Sequence, residues 1–301
     1  MGLSIVEEIV VENHHLFIYT ETPLHAGVGS SVSVVDLPIQ RERATQYPIV
    51  HGSGVKGALR AYTRSLGSNF KLDADGVFGP DDPAHASDHA GAIAVGDAQI
   101  VLFPVRSLKG VFVYVTSAHV LARVARSINA AAPAAPPQNT AWVSSGAPLI
   151  GQKLVLEEFT FTAEARPEVK QWADWLATNA LPQLPAYDYW RKHLQEHLIV
   201  LPEDDFRDFA LNSTQIDTHV KLDRDKKTVI PGALWTTESL PPDTLLMSSI
   251  TVRDARKENS TLTAKNIVDT LGGIISDQTK PLFQLGGDET TGQGVVGLRW
   301  L

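Results

Sequence analysis

Between Thr22 and Arg64 the sequence sets a lone carboxylate, Asp36, in the polar stretch VVDLPIQRER beside Arg41 and Arg43, and follows it with the glycine-rich run His51-Gly-Ser-Gly-Val-Lys-Gly57. Lys56, Arg60 and Arg64 then recur at i, i+4, i+8, a spacing that lines three cations along one helix face. Backbone N–H groups bared by a glycine-rich turn at a helix start favour phosphate. The chemistry this combination suits is a clamp on a polyanion with one acid beside it. Arg41 and Arg43 would help keep that acid ionised. No second carboxylate, Ser-His-Asp order or metal cluster accompanies Asp36 in the sequence, so the residues leave open whether it does chemistry or caps its own loop.

Other constellations were weighed against plainer roles. Gly52, Gly54 and Gly57 spell G-x-G-x-x-G, with Asp73 and Asp75 further on, as a dinucleotide site requires. The preceding strand YPIV is short, repeated βαβ units are missing, and Lys56 sits inside the motif, where it suits any polyanion. GGDETTGQG (286–294) is a second glycine-rich loop, with Gly286, Gly287 and Gly292 allowing close backbone approach; the alternative is an ordinary hairpin. His85/His89 and His193/His197 have a spacing that can ligate metal on a helix, but they read as surface histidines.

The elements that must position these residues follow from pattern. Residues 5–20 read as a strand, 23–47 as a long functional loop, and 54–66 as a helix after a short strand. Residues 73–91 form a loop dense in Gly, Pro and Asp. Two β-rich runs joined by RSLKG follow, then a helix at 117–128 and an Ala/Pro linker, AAAPAAPPQNT. Residues 153–165 alternate as a strand, 167–197 are helical pieces with Trp172, Trp175 and Trp190 for a satellite core, and 214–238 form a hairpin whose charged tip DRDKK should project. A strand at 243–252, a helix at 261–272 and a closing strand–loop–strand complete the pattern. This gives an α+β, ferredoxin-like core with large insertions rather than a doubly wound fold.

Composition sets outer limits. The 301 residues carry 43% hydrophobic residues, enough for a core, with no Cys and a net charge of −8. No run reaches the roughly 20 apolar residues of a membrane span, and the acidic start MGLSIVEEIVVEN does not read as a signal peptide, so a cytoplasmic protein is expected. An acidic chain is a poor general nucleic-acid binder. Residues 36–66, 98–126 and 219–227 are nevertheless locally basic, as a single phosphate-binding groove needs.

Taken together, TPLHAGVGSSVSVVDLPIQRERAT, HGSGVKGALRAY, VFGP, GAIAVGDAQIVLFPVRSLKGVFVYVTS, LEEF, DDFRD, GALWTTESLPPDTLL and LGGDETTGQGVV resemble the backbone subunits of Cmr-type (type III-B) CRISPR–Cas effector complexes, in the RAMP superfamily. The resemblance runs almost end to end. It implies one RAMP domain over 1–301: an RRM-like palm with insertions at about 67–92, 129–150, 166–200 and 214–238, the last a β-hairpin thumb. It also implies antiviral defence by head-to-tail assembly with further copies and with other complex subunits along a guide RNA. Complementary target RNA would be cleaved at regular intervals, with a divalent metal ion, expected to be Mg2+, as cofactor. By motif match the catalytic residue, which could also hold the metal, is Asp36. The RNA-binding residues are His25, Arg41, Arg43, Ser53, Gly54, Lys56, Gly57, Arg60, Trp235, Gly286, Gly287 and Gly292. The stretch after Trp235 departs from the family pattern, which often has Glu and Tyr there. The alternative function is an RNA-binding scaffold that does not cut.

Overall fold

The computed structural model describes residues 11–30, 34–277 and 283–301; residues 5–10 of the expected first strand lie outside them. Strand β1 (Val11–Thr20) leads through a long loop to β2 (Ile49–Val50) and helix α1 (Gly52–Ser65). Helix α2 (Ala74–Phe78) precedes β3 (Ile93–Val95), β4 (Ala98–Arg106), β5 (Phe112–Ser117) and α3 (Ala118–Ser127). After the Ala/Pro stretch come β6 (Thr140–Val143), β7 (Lys153–Leu156), β8 (Phe159–Ala165), α4 (Pro167–Asn179), α5 (Asp188–His197), β9 (Leu198–Leu201) and α6 (Glu203–Asn212). The remaining elements are β10 (Gln215–Leu222), β11 (Val229–Ser239), β12 (Leu245–Arg253), α7 (Ala264–Ser276), β13 (Phe283–Gln284) and β14 (Val295–Trp300).

Ten strands follow one another across a mixed sheet, β13-β14-β1-β12-β4-β5-β9-β6-β8-β7, with β2 added on β4 and β3 on β12. Pairing is antiparallel except for β5 with β9 and β6 with β8. Strand β1 lies between β12 and β14 and is buried on both faces. Successive side chains point to opposite faces, so Leu16 and Ile18 join a core with Val55 and Leu59 of α1 and Ile267 and Leu271 of α7. Phe17 and Tyr19 join a second core with α3, α4 and α5, against which Trp172, Trp175 and Trp190 pack. Each fully buried side chain of this size contributes about 1.5–3 kcal/mol. The strand's apolar run is therefore continuous where it matters, from Leu16 to Tyr19.

Three elements differ from expectation. The single strand expected at 153–165 is a hairpin, turning at Glu157 with a left-handed φ of 48°. The run Leu198–Leu201, given no element by pattern and lying directly after the helical pieces expected at 167–197, forms a buried strand between β5 and β6. The glycine-rich run is the first turn of α1 itself, so it is helix rather than preceding loop. No helix among the described residues is long and apolar enough to cross a membrane.

Candidate nucleic-acid interface and cleavage loop

Strands β10 and β11 pair only with each other as a ladder, from Gln215 opposite Ser239 to Leu222 opposite Val229. The expected hairpin thus exists within a residue or so of its expected ends. Its sides expose Ile216, Val220, Leu222, Leu234 and Trp235, and Trp235 stacks on His219 at 5.4 Å and 17°.

The loop carrying Asp36 lies along the base of this hairpin. Leu37 bridges Thr237 in parallel, its N–H donating to the Thr236 carbonyl at 3.0 Å and its carbonyl accepting from the Glu238 N–H at 3.0 Å. Asp36 Oδ2 accepts from the Thr236 N–H at 2.8 Å and from the Thr236 hydroxyl at 2.9 Å, and the same hydroxyl accepts from the Asp36 N–H at 3.0 Å. The Thr236 N–H foremost, then its hydroxyl, hold the exposed Asp36 carboxyl below the usual carboxylate range. Arg41 and Arg43, expected to do this, are not its cause. Oδ1 has no hydrogen-bond partner among the described residues.

Glu238, two residues on, is buried and organises the loop. Its carboxylate accepts from Arg41, from the Thr214 hydroxyl at 2.9 Å and from the Ile39 N–H at 3.0 Å. Arg41 donates further to the carbonyls of Gln46 and Ala210 at 2.9 and 3.0 Å and is only 13% exposed. Arg41 ties loop, α6 and hairpin together. Arg43 is exposed in the adjoining turn. His25 Nδ1 lies 2.6 Å from the Glu238 carbonyl, to which it donates, and the His25 carbonyl accepts from the Gly287 N–H at 2.9 Å. His25 therefore joins the hairpin base to the second glycine-rich loop. Gly286 has φ +80° and a Cβ there would fall 2.5 Å from the His25 carbonyl oxygen, whereas Gly292 faces open space.

On α1 the cation stripe divides. Arg60 donates to Asp75 at 2.6 Å and to the Pro80 carbonyl, with Asp81 at 3.6 Å, and Arg64 pairs with Asp81. Arg60 is 14% exposed and is engaged by carboxylates within the chain. Lys56 has no carboxylate in ion-pair reach among the described residues. Burial first, then Arg60 and Arg256 beside it, push its ammonium below the ordinary lysine value. A cation crowded by like charges and without a carboxylate of its own favours an incoming anion. The amides are less bare than expected: the Gly52 N–H donates to Asp97 at 2.8 Å, and those of Gly54 and Val55 to the His51 carbonyl. Gly52 is a glycine because a Cβ would meet the Val95 carbonyl at 2.2 Å, while Gly57 faces open space. Ser53, Gly54 and Gly57 are exposed. A groove of ≈ 630 Å³ lies between Gly54, Gly57, Ala58 and Ala61 on α1 and Gln284, Gly286 and Glu289, bringing the two glycine-rich segments together.

The dinucleotide reading loses its acids. Asp73 caps α2 and pairs with Lys257 at 2.7 Å, and Asp75 holds Arg60. His193 is buried rather than on the surface, its ring 4.1 Å from that of His197, and burial with that neighbour pushes it down to about 4. Among the described residues no group of three or more His, Asp or Glu side chains is placed to hold a metal ion. The single free oxygen of Asp36 suits only an ion that keeps most of its water and takes its other ligands from a substrate phosphate. Thr236, Glu238 and Asp97 are the residues that spacing did not single out. Asp36 and Thr236 lie 200 positions apart, and only the departure from the family pattern after Trp235 drew attention to that stretch.

Residues 17–296 match the RAMP superfamily. The CRISPR system Cmr endoribonuclease Cmr4 of Pyrococcus furiosus is 34% identical over 284 residues, covering 93% of this chain and 92% of that protein. The crystal structure of oligomeric Cmr4 from Pyrococcus furiosus superposes with a TM-score of 0.69 at 30% identity, over 96% of this chain and 97% of that one. A chain of the type III-B Cmr-beta complex bound to cognate target RNA has a TM-score of 0.71 at 24% identity, over 96% and 97%, a likeness of fold.

Proposed function

This chain belongs to the RAMP superfamily as a backbone subunit of the Cmr (type III-B) kind, and on that premise we propose how it holds a guide RNA and cuts the complementary target. The observation that carries the proposal is the Asp36 carboxylate, ionised and with one oxygen free, fastened to the base of a projecting hairpin.

The central strands form a ferredoxin-like palm, and β10–β11 is the thumb. Copies stack head to tail along the guide, with other Cmr subunits completing the complex. Lys56, with the exposed backbone of Ser53, Gly54 and Gly57, grips guide phosphates, and the groove facing Gly286, Gly287 and Gly292 receives the sugar–phosphate rail. Arg43 lies open to the same polyanion, and His25 holds the two walls at a fixed separation. Contacts of this kind read the backbone of an A-form helix and not its sequence, as a protein serving many guides requires. The hairpin of one copy enters the guide–target duplex, with Trp235 positioned to meet an unstacked base, which repeats the cut at regular intervals.

An unstacked nucleotide can place its ribose 2′-OH in line with the adjacent phosphorus, a geometry that stacking in the duplex forbids, so positioning supplies much of the rate. The 2′-oxygen bonds to phosphorus and loses its proton to water. The bond to the 5′-oxygen breaks, and that oxygen gains a proton. A cyclic phosphate and a 5′-hydroxyl remain. Asp36 sits beside the reacting linkage as a fixed negative charge, too acidic to serve as a strong base. Asp36 would hold a divalent ion such as Mg2+, which would supply charge compensation at the phosphorus.

Asp36→Asn in the assembled complex tests the reading. Target cleavage should fall at least about a hundredfold while assembly and target binding persist. Cleavage at the wild-type rate would leave an RNA-binding scaffold.

A further inference from the structure

We infer that Thr236 is a positioning residue for cleavage, tying the Asp36 carboxylate to the returning strand of the hairpin and fixing its orientation. The inference rests on the proposed role of Asp36.

The tie is reciprocal. The Thr236 hydroxyl donates to Oδ2 and accepts from the Asp36 N–H, while the Thr236 N–H donates to the same Oδ2. Both donors fall on one oxygen, which fixes the carboxylate plane and turns Oδ1 outward. Backbone bonds from Leu37 to Thr236 and from Glu238 to Leu37 keep the loop in register as a third strand. The Ile39 N–H on the Glu238 side chain extends that attachment. Trp235 precedes Thr236 on β11, is exposed, and stacks on His219. The aromatic that would meet a base is thus one residue from the group that holds the acid. Threonine suits this position because one hydroxyl both gives and takes a hydrogen bond while its branched Cβ fits a strand. Valine keeps the shape and loses both bonds; serine keeps both bonds.

The experiment uses the complex assembled with guide RNA and compares wild type with Thr236→Val, Thr236→Ser and Asp36→Asn. It measures the single-turnover cleavage rate at saturating target, target affinity, and the acid limb of the pH–rate profile. Thr236→Val should lower the rate about tenfold to a hundredfold, the scale expected when a reacting group is misplaced by an ångström or so, with affinity unchanged. Its acid limb should move to higher pH, because a carboxylate with fewer donors protonates more readily. Thr236→Ser should recover most of the rate and return the limb toward wild type. Thr236→Val at the wild-type rate with an unmoved limb, beside an inactive Asp36→Asn, overturns the tie alone. Rate and affinity falling together, with Ser no better than Val, also overturns it, since the hydroxyl then serves only the hairpin's fold. Cleavage surviving Asp36→Asn overturns the tie and the cleavage reading together.

Discussion

The junction of cleavage loop and hairpin and the outer face of α1 both carry arginines expected to meet RNA, Arg41 by the family resemblance and Arg60 by helical spacing, yet the two regions use their charges in different ways. At the junction Arg41 is enclosed with Glu238 and carbonyl partners, and the Asp36 carboxylate is left exposed. On α1 the segment after the helix supplies Asp75 and Asp81 to occupy Arg60 and Arg64, and the open cation is Lys56. Each region thus neutralises much of its charge internally, leaving Asp36 and Arg43 exposed at the junction and a half-buried Lys56 without a carboxylate partner among the described residues on α1. A buried pair is held by its partners, whereas a crowded lone cation is held in readiness for an anion. Helical spacing can state which side chains share a face, but not which have already found a counter-ion.

The difference can be probed by removing one group at a time. Glu238→Ala should have the largest effect, destabilising the fold by about 3–5 kcal/mol because it leaves Arg41 buried without its carboxylate; denaturant unfolding measures it, and a cost below about 1 kcal/mol would show the junction to be no stiffer than the surface. Gly286→Ala should cost about 2 kcal/mol, combining a left-handed φ with a Cβ pressed on the His25 carbonyl, and the second loop should lose its order in hydrogen exchange. Arg60→Met should cost about 1 kcal/mol, since its carboxylate partners are half exposed and screened, and should leave the salt dependence of RNA binding nearly unchanged. Lys56→Ala should do the reverse: stability within about 0.5 kcal/mol of wild type, and a slope of log affinity against log salt reduced by about one. The smallest effect is one of pH. Burial works to raise the Glu42 carboxyl, but the two bonds from Arg123 and one from Thr45 hold it below its ordinary 4.5. A depressed folded-state value means stability that is complete above about 4.5 and is lost as pH falls through the folded value. Unfolding midpoints of Glu42→Gln should therefore change less between pH 5 and 3 (roughly that window) than those of wild type.

Much of this was legible in the chain because local chemistry set it. The helix at 117–128 appears as Ala118–Ser127, started by a Ser117 side-chain cap, and the hairpin at 214–238 follows from alternation around a charged turn. Leu198–Leu201 was missed because four apolar residues directly after a helix carry no period of their own, and their strand character comes from β5 and β6 on either side. The break at Glu157 was missed because a non-glycine residue in the left-handed region leaves no compositional mark. At the candidate site, Asp36 and Lys56 stood out by type and setting. The enclosure of Arg41 and the appearance of Thr236 depend on partners far along the chain, and no spacing rule reaches that far.

The place of β1 between β12 and β14 has a consequence for the order in which the molecule is made. A ribosome delivers β1 and the Asp36 loop early, but their two sheet neighbours and the hairpin emerge among the final third of the residues. Until then the nascent segment lacks both its sheet neighbours and its acid hangs unheld, so the chain should be incapable of cutting RNA before those strands and the hairpin have emerged. Contacts joining the two ends of a polypeptide also make for slow folding, which gives the guide time to be present when the last strand docks.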